Sequence, residues 1–222
     1  MRQHSTFTID AMIQDLFTTE LPTTGAIRKE SAKYYRQLCN KSIDAVLPMC
    51  DRLLEAQSST HSLVAFDWAF RLKKQYDQEL YYHFEQWLFA YIQDWYDCDD
   101  FCTHAFGELL CQYPQHFESV MAWTTHEHFA VRRAAAVVFI LAIRSDRYKT
   151  LPLLTVADAL IEDPHDLVQK GYGWMLKVLS QKEPHQVIEY LEQNHRRMPR
   201  VAFRYALEKL PKSERQRLIN MK

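Results

Sequence analysis

Four carboxylates and two adjacent aromatics share one short stretch, Asp94-Trp95-Tyr96-Asp97-Cys98-Asp99-Asp100-Phe101. On a helix Tyr96 and Asp100, four residues apart, lie on one face, and so do Trp95 and Asp99. An aromatic face beside a carboxylate suits a cationic group, or positive charge that develops during a reaction. The same acids also suit the first turn of a helix, where the macrodipole favours negative charge. Asp97 fits that structural role, and Asp100 fits either.

A second constellation lies at Phe129-Ala-Val-Arg-Arg-Ala-Ala-Ala136, where an arginine pair opens a helix face of small residues. Arg133 is the arginine placed to hold a phosphate. Its neighbour Arg132 points roughly 100° away around the helix and reads as a surface charge. A third segment, Val168-Gln-Lys-Gly-Tyr-Gly-Trp174, recurs 37 positions later. Trp174 lies one turn beyond Lys170. Gly171 and Gly173 each cost about 1 kcal/mol against alanine in a helix, so something approaches that backbone closely. Both a neighbouring helix and a nucleic-acid strand fit.

Other chemistries find little support. Cys98, Cys102, His104 and Cys111 lack the spacing of paired zinc knuckles and fit a helix running from Asp97 to Gln112. The ten histidines form no metalloprotease pattern, and no glycine-rich phosphate loop or nucleophile elbow is present. No cofactor or metal is expected. Five cysteines, an odd number, read as reduced thiols of a cytoplasmic protein.

These residues must be positioned by helices. The 222 residues include 4 Gly and 8 Pro against 47% hydrophobic residues, which leaves little room for a turn-rich β protein. Apolar residues recur at helical spacing over 10–17, 24–38, 42–57, 62–75, 79–94, 97–112 and 115–123. They continue over 130–143, 155–161, 166–180, 184–194 and 199–210, with a short tail from Lys212. Pro184 and Pro199 sit where a first helical turn tolerates a missing N–H. Asp166 or His165 can cap the helix that follows. Leu21-Pro22-Thr23-Thr24-Gly25 and Glu162-Asp163-Pro164 read as turns rather than linkers.

Val131, Val168 and Val201 open helices 37 and 33 residues apart, and Val64 opens another. Loose periods of this length with two helices per unit predict an all-α, HEAT-like repeat α-solenoid. It forms one domain over 1–222, with the repeats most evident over 24–210. An irregular helical bundle is the plainer alternative.

Net charge is -1, but its distribution is uneven. Residues 165–222 hold 12 Lys+Arg against 6 Asp+Glu, a net of +6, which leaves -7 for residues 1–164. A basic final quarter points to a face that meets polyanions, or to a solvated helical surface. No run of eighteen apolar residues predicts a membrane span, and Met1-Arg-Gln-His-Ser-Thr-Phe7 lacks an apolar signal core.

Taken together, the three constellations resemble the AlkD-like, HEAT-repeat family of bacterial alkylpurine DNA glycosylases. The likeness runs from about Thr24 to Leu210 and is strongest from Trp95 onward. The family pattern has a tryptophan and a following aspartate at a helix start, then aromatic-x-x-Arg-Ala-Ala, then Lys-x-x-Gly-Trp. Here Tyr96 with Asp100, Phe129 through Arg133-Ala134-Ala135, and Lys170 through Trp174 look like these in order. Tyr96 stands where active members have tryptophan. A shift of register makes Trp95 with Asp99 the equivalent pair. The Tyr96–Asp100 assignment is preferred because Asp100-Phe101 continues the family pattern into the next helix.

The resemblance implies a monomer that holds duplex DNA in a concave groove and excises N3- and N7-alkylated purines, whose positive charge makes them good leaving groups. It implies that Asp100 stabilises the oxocarbenium-like sugar, and that Tyr96 and Trp174 cradle the deoxyribose. Arg133 would hold the neighbouring phosphate, with Lys170, Trp95, Arg132 and Arg204 along the DNA-binding face. Some relatives on this scaffold bind DNA structures without releasing bases, and a groove of this kind can also take a partner helix. A smaller π face at Tyr96 implies reduced activity.

Overall fold

The computed structural model describes residues 8–19 and 23–221. The Met1–Phe7 segment and the Leu21-Pro22 part of the expected turn lie outside the described residues. Among the described residues all regular structure is helical, as the apolar spacing requires. The protein is all-α. Packing divides it into two compact units, 1–91 and 92–222, where the sequence reads as one domain.

The first unit holds α1 (Ile9–Thr18), α2 (Thr24–Gln37), α3 (Ile43–Leu54), α4 (Ser59–Arg71) and α5 (Leu80–Tyr91). Thr8 and Thr23 cap α1 and α2 through their side-chain oxygens. Helix α4 is buried from His61 through Ala69. Its one acid there, Asp67, accepts hydrogen bonds from Ser31 Oγ at 2.5 Å and Arg71 Nε at 2.8 Å. A buried carboxylate persists only with such partners.

The second unit holds α6 (Trp95–Thr103), α7 (Ala105–Gln112), α8 (Phe117–Ala122), α9 (Phe129–Val137) and α10 (Ile140–Arg144). It continues with α11 (Leu153–Leu160), α12 (Asp166–Leu179), α13 (Pro184–Asn194), α14 (Arg200–Leu207) and α15 (Lys212–Met221). Helices α6, α9, α12 and α14 pack side by side in that order. On them lie partner helices, α7 against α10, α11 against α9 and α12, and α13 against α12 and α15. This pairing is the HEAT-like repeat.

The four consecutive helices keep a register. Their N-cap residues are Asp94, His128, His165 and Pro199, spaced by 34, 37 and 34. The third residue after each cap (Asp97, Val131, Val168, Ala202) is buried in every case. The fifth is Asp99, Arg133, Lys170 and Arg204, one charged row across successive helices.

Two of the boundaries that differ from the sequence reading bear on the site. The run expected over 79–94 stops at Tyr91, and Asp94 instead caps α6 by accepting from the Tyr96 and Asp97 amides at 2.9 and 3.2 Å. The helix expected over 97–112 therefore starts two residues early, and it breaks at His104, with φ -126° and ψ -93°. Gly107 permits the tight re-entry. A Cβ there would lie 2.4 Å from the Cys102 carbonyl oxygen and 3.0 Å from that of Val138. Phe101, Phe106 and Trp123 then pack in series, with ring centroids 5.3 and 5.2 Å apart.

Candidate functional site

The charged row begins with a closed pair. Arg133 donates from Nε to one Asp99 oxygen and from Nη2 to the other, both at 2.8 Å. This parallel fork is the strong, directional form of an arginine–carboxylate contact. Nη1 donates to the Leu167 carbonyl at the start of α12. One side chain thus ties α6, α9 and α12 together. The residue is 5% exposed. Such burial is tolerable because every part of the guanidinium is matched.

Gly171 makes room for it. A Cβ at that position would lie 3.0 Å from Arg133 Cγ and 3.3 Å from Nη1. At Gly173 the obstacle is the neighbouring helix instead, with Ala202 O at 2.8 Å and Tyr205 Cβ at 2.9 Å. Of the two close approaches expected at these glycines, one is a site side chain and the other is helix packing.

Asp99 and Arg133 form the floor of a 390 Å³ cavity whose walls are Trp95, Leu167, Lys170, Trp174 and Tyr205. Trp95 is 48% exposed at its rim. Burial pushes the Asp99 carboxyl above its ordinary value, and the two hydrogen bonds and charge of Arg133 pull it back down. Burial pulls the Arg133 guanidinium down, and the Asp99 carboxylate more than offsets this, leaving it raised. Each Asp99 oxygen uses one lone pair on Arg133, so the other can address the cavity. Lys170 Nζ is held by Asp166 at 2.8 Å. A larger cavity of 560 Å³ lies elsewhere, between Tyr148, Leu153, Leu179 and Glu183. It contains none of the expected site residues.

The family model for the DNA alkylation repair enzyme matches residues 16–210. The chain belongs to that family. Three solved structures share the fold. A predicted DNA alkylation repair enzyme from Enterococcus faecalis is 17% identical with TM-score 0.68, over 92% of this chain and 93% of that one. The protein smu.31 from Streptococcus mutans UA159 is 16% identical with TM-score 0.66, over 91% and 98%. AlkD2 from Streptococcus mutans is 18% identical with TM-score 0.64, over 90% and 96%. No curated protein sequence matches the chain.

Within this member of the family, the structure brings Trp95, Arg133, Lys170 and Trp174 to one cavity and adds Asp99 between them. Tyr96 and Asp100 do not line it. Successive residues of a helix point about 100° apart, so only one of Asp99 and Asp100 can meet Arg133. The Tyr96 ring stands edge-on to Trp95, 6.1 Å between centroids. The Asp100 carboxyl lies 3.7 Å from His104 Nδ1.

Arg132 forms a latch rather than part of the cavity. It pairs with Asp163 at 2.6 and 3.3 Å and donates to the His126 and Glu127 carbonyls. Arg204 is exposed on α14 and lines a separate small hollow with Arg200, Phe203 and Ile219. Cys98 and Cys102 are buried, and Cys98 Sγ donates to the Ala130 carbonyl. Among the described residues no group of three His, Cys, Asp or Glu is placed to hold a metal ion. No helix among them is long and apolar enough to cross a membrane.

Sequence reasoning missed Tyr205 and Leu167. Tyr205 follows the row position Arg204 by one residue, and the cap-to-cap register was the signal that could have placed it.

Proposed function

We propose that this protein is a DNA glycosylase that excises positively charged N3- and N7-alkylpurines from duplex DNA, working as a monomer. The observation that carries the reading is the Asp99 carboxyl, locked by a buried arginine fork on the floor of a cavity walled by Trp95 and Trp174. A carboxylate sharing one cavity with two indoles is suited to positive charge on a sugar.

In this reading the bond between C1′ and the purine nitrogen breaks, and its electron pair moves to the purine, cancelling the lesion's charge. The sugar becomes oxocarbenium-like at C1′. Asp99 supplies the opposing charge, at a position Arg133 has already fixed, so little reorganisation is needed as the charge develops. The free lone pairs of Asp99 orient a water towards C1′ and receive its proton, which leaves an abasic site. Trp95 and Trp174 hold the deoxyribose by their faces. Arg133 acts here as a positioning residue, since both sides of its guanidinium are already bonded. The Trp95–Asp99 pair takes the roles that sequence alone assigned to Tyr96 and Asp100.

The test is release of 7-methylguanine and 3-methyladenine from methylated duplex DNA by wild type, Asp99→Asn and Asp100→Asn. The expected outcome is release by wild type and Asp100→Asn, with loss of at least a hundredfold in Asp99→Asn, the scale of removing one preorganised charge. Equal activity in all three would overturn the assignment. Duplex binding without release by any of them would make the protein a reader of damaged DNA.

A further inference from the structure

Both cations that line the cavity are already neutralised, Arg133 by Asp99 and Lys170 by Asp166. Beyond the lining, Lys177 is bound to Glu208 and Arg147 to Glu108. Arg144 differs. It is exposed, and among the described residues no carboxylate pairs with it. Its guanidinium carbon sits 5.7 Å from the centroid of the Trp174 ring.

Its place on the fold is not accidental. Helices α9 and α10 join through Val138 and Phe139, both in the right-handed helical region, so the run is nearly continuous from Phe129 to Arg144. Positions 133, 137, 140 and 144 follow the i, i+4, i+7, i+11 spacing of one helix face. Arg144 therefore shares a face with Arg133, three turns on, and Trp174 of the next helix lies beside it. A guanidinium over an indole ring is not consumed by a carboxylate and keeps N–H groups available. Those groups are a fork for a phosphate.

We propose that Arg144 is a phosphate-binding residue for the DNA strand that carries the lesion, held in place by Trp174, so that sugar and backbone are gripped by adjoining side chains. This rests on the glycosylase reading above. It assigns the backbone contact to a cation whose charge is free, where Arg133 has spent its own on Asp99.

The test measures binding of a fluorescein-labelled duplex with one tetrahydrofuran site across a KCl series, for wild type, R144Q and R144K. Single-turnover release of 7-methylguanine is measured in parallel. Each phosphate contact contributes about 0.9 to the slope of log K against log salt, so R144Q should lower that slope by about 0.9. Loss of one charge-assisted contact should weaken binding about tenfold at low salt. R144K, which keeps the charge, should retain the slope. A merely structural role for Arg144 would change affinity without changing slope, and an R144Q slope equal to wild type overturns the contact. A wild type that binds and releases bases while R144Q keeps its slope removes only this contact. A wild type that binds no duplex removes the glycosylase reading and the contact together.

Discussion

Gly171 is the position at which helix α12 lets Arg133 through. The nearest side-chain atom to a Cβ built there is Arg133 Cγ, at 3.0 Å. Arg133 cannot give way, because its head is fixed on Asp99 and on the Leu167 carbonyl. A backbone choice on one repeat thus sets the position of a carboxylate two repeats earlier.

Gly171→Ala is expected to separate stability from activity. Alanine gains about 1 kcal/mol of helix propensity, which offsets the crowding, so thermal unfolding should shift little. Base release should fall about tenfold or more as Arg133 is pushed off Asp99. Gly173→Ala should do the reverse, because its neighbours are backbone and Cβ atoms of α14. Overpacking there should cost about 1–3 kcal/mol of stability. Calorimetry and single-turnover kinetics on both variants check the pair; identical phenotypes would show that the two glycines do the same job.

Under the proposed mechanism, catalysis by an ionised Asp99 gives base release an acid limb. Burial raises the Asp99 carboxyl, so activity should be lost, as pH falls, above the ordinary carboxylate range. Arg133 pulls the opposite way, and Arg133→Gln should therefore move the limb to higher pH as well as lowering the plateau. A limb that stays in place in Arg133→Gln would mean that another group titrates. Asp97→Asn, run beside it, should leave the limb unmoved.

Asp97 carries a separate prediction about stability. It occupies the buried place that Val131, Val168 and Ala202 fill in the following helices, and its carboxyl is pushed up to about 7, first by burial and then by Asp94 and Asp100. The folded state therefore binds this proton more tightly than the unfolded chain does. Its contribution is fully present below about pH 4 and is lost as pH rises through about 7. Asp97→Val should stabilise the protein at pH 8.5, by at most about 4 kcal/mol, and by much less at pH 5. Denaturant titrations at the two pH values decide it; a gain independent of pH would assign the effect to packing alone.

The sequence by itself determined that the chain is helical, because apolar spacing and the scarcity of glycine and proline are local properties. It also brought out Arg133, Lys170 and Trp174 through their recurrence, and the family through the order of three motifs. It preferred Asp100, paired with Tyr96, over Asp99. That choice depends on where helix α6 begins, and the apolar spacing placed Asp94 at the end of the preceding run and the next start at Asp97. Only the packed structure, in which Asp94 accepts from the Tyr96 and Asp97 amides, sets the register that turns Asp99 towards Arg133. The pairings of Arg132 with Asp163 and of Arg144 with Trp174 are likewise tertiary. Each joins residues about thirty apart, and no local pattern distinguishes a cation consumed by an acid from one set against an indole.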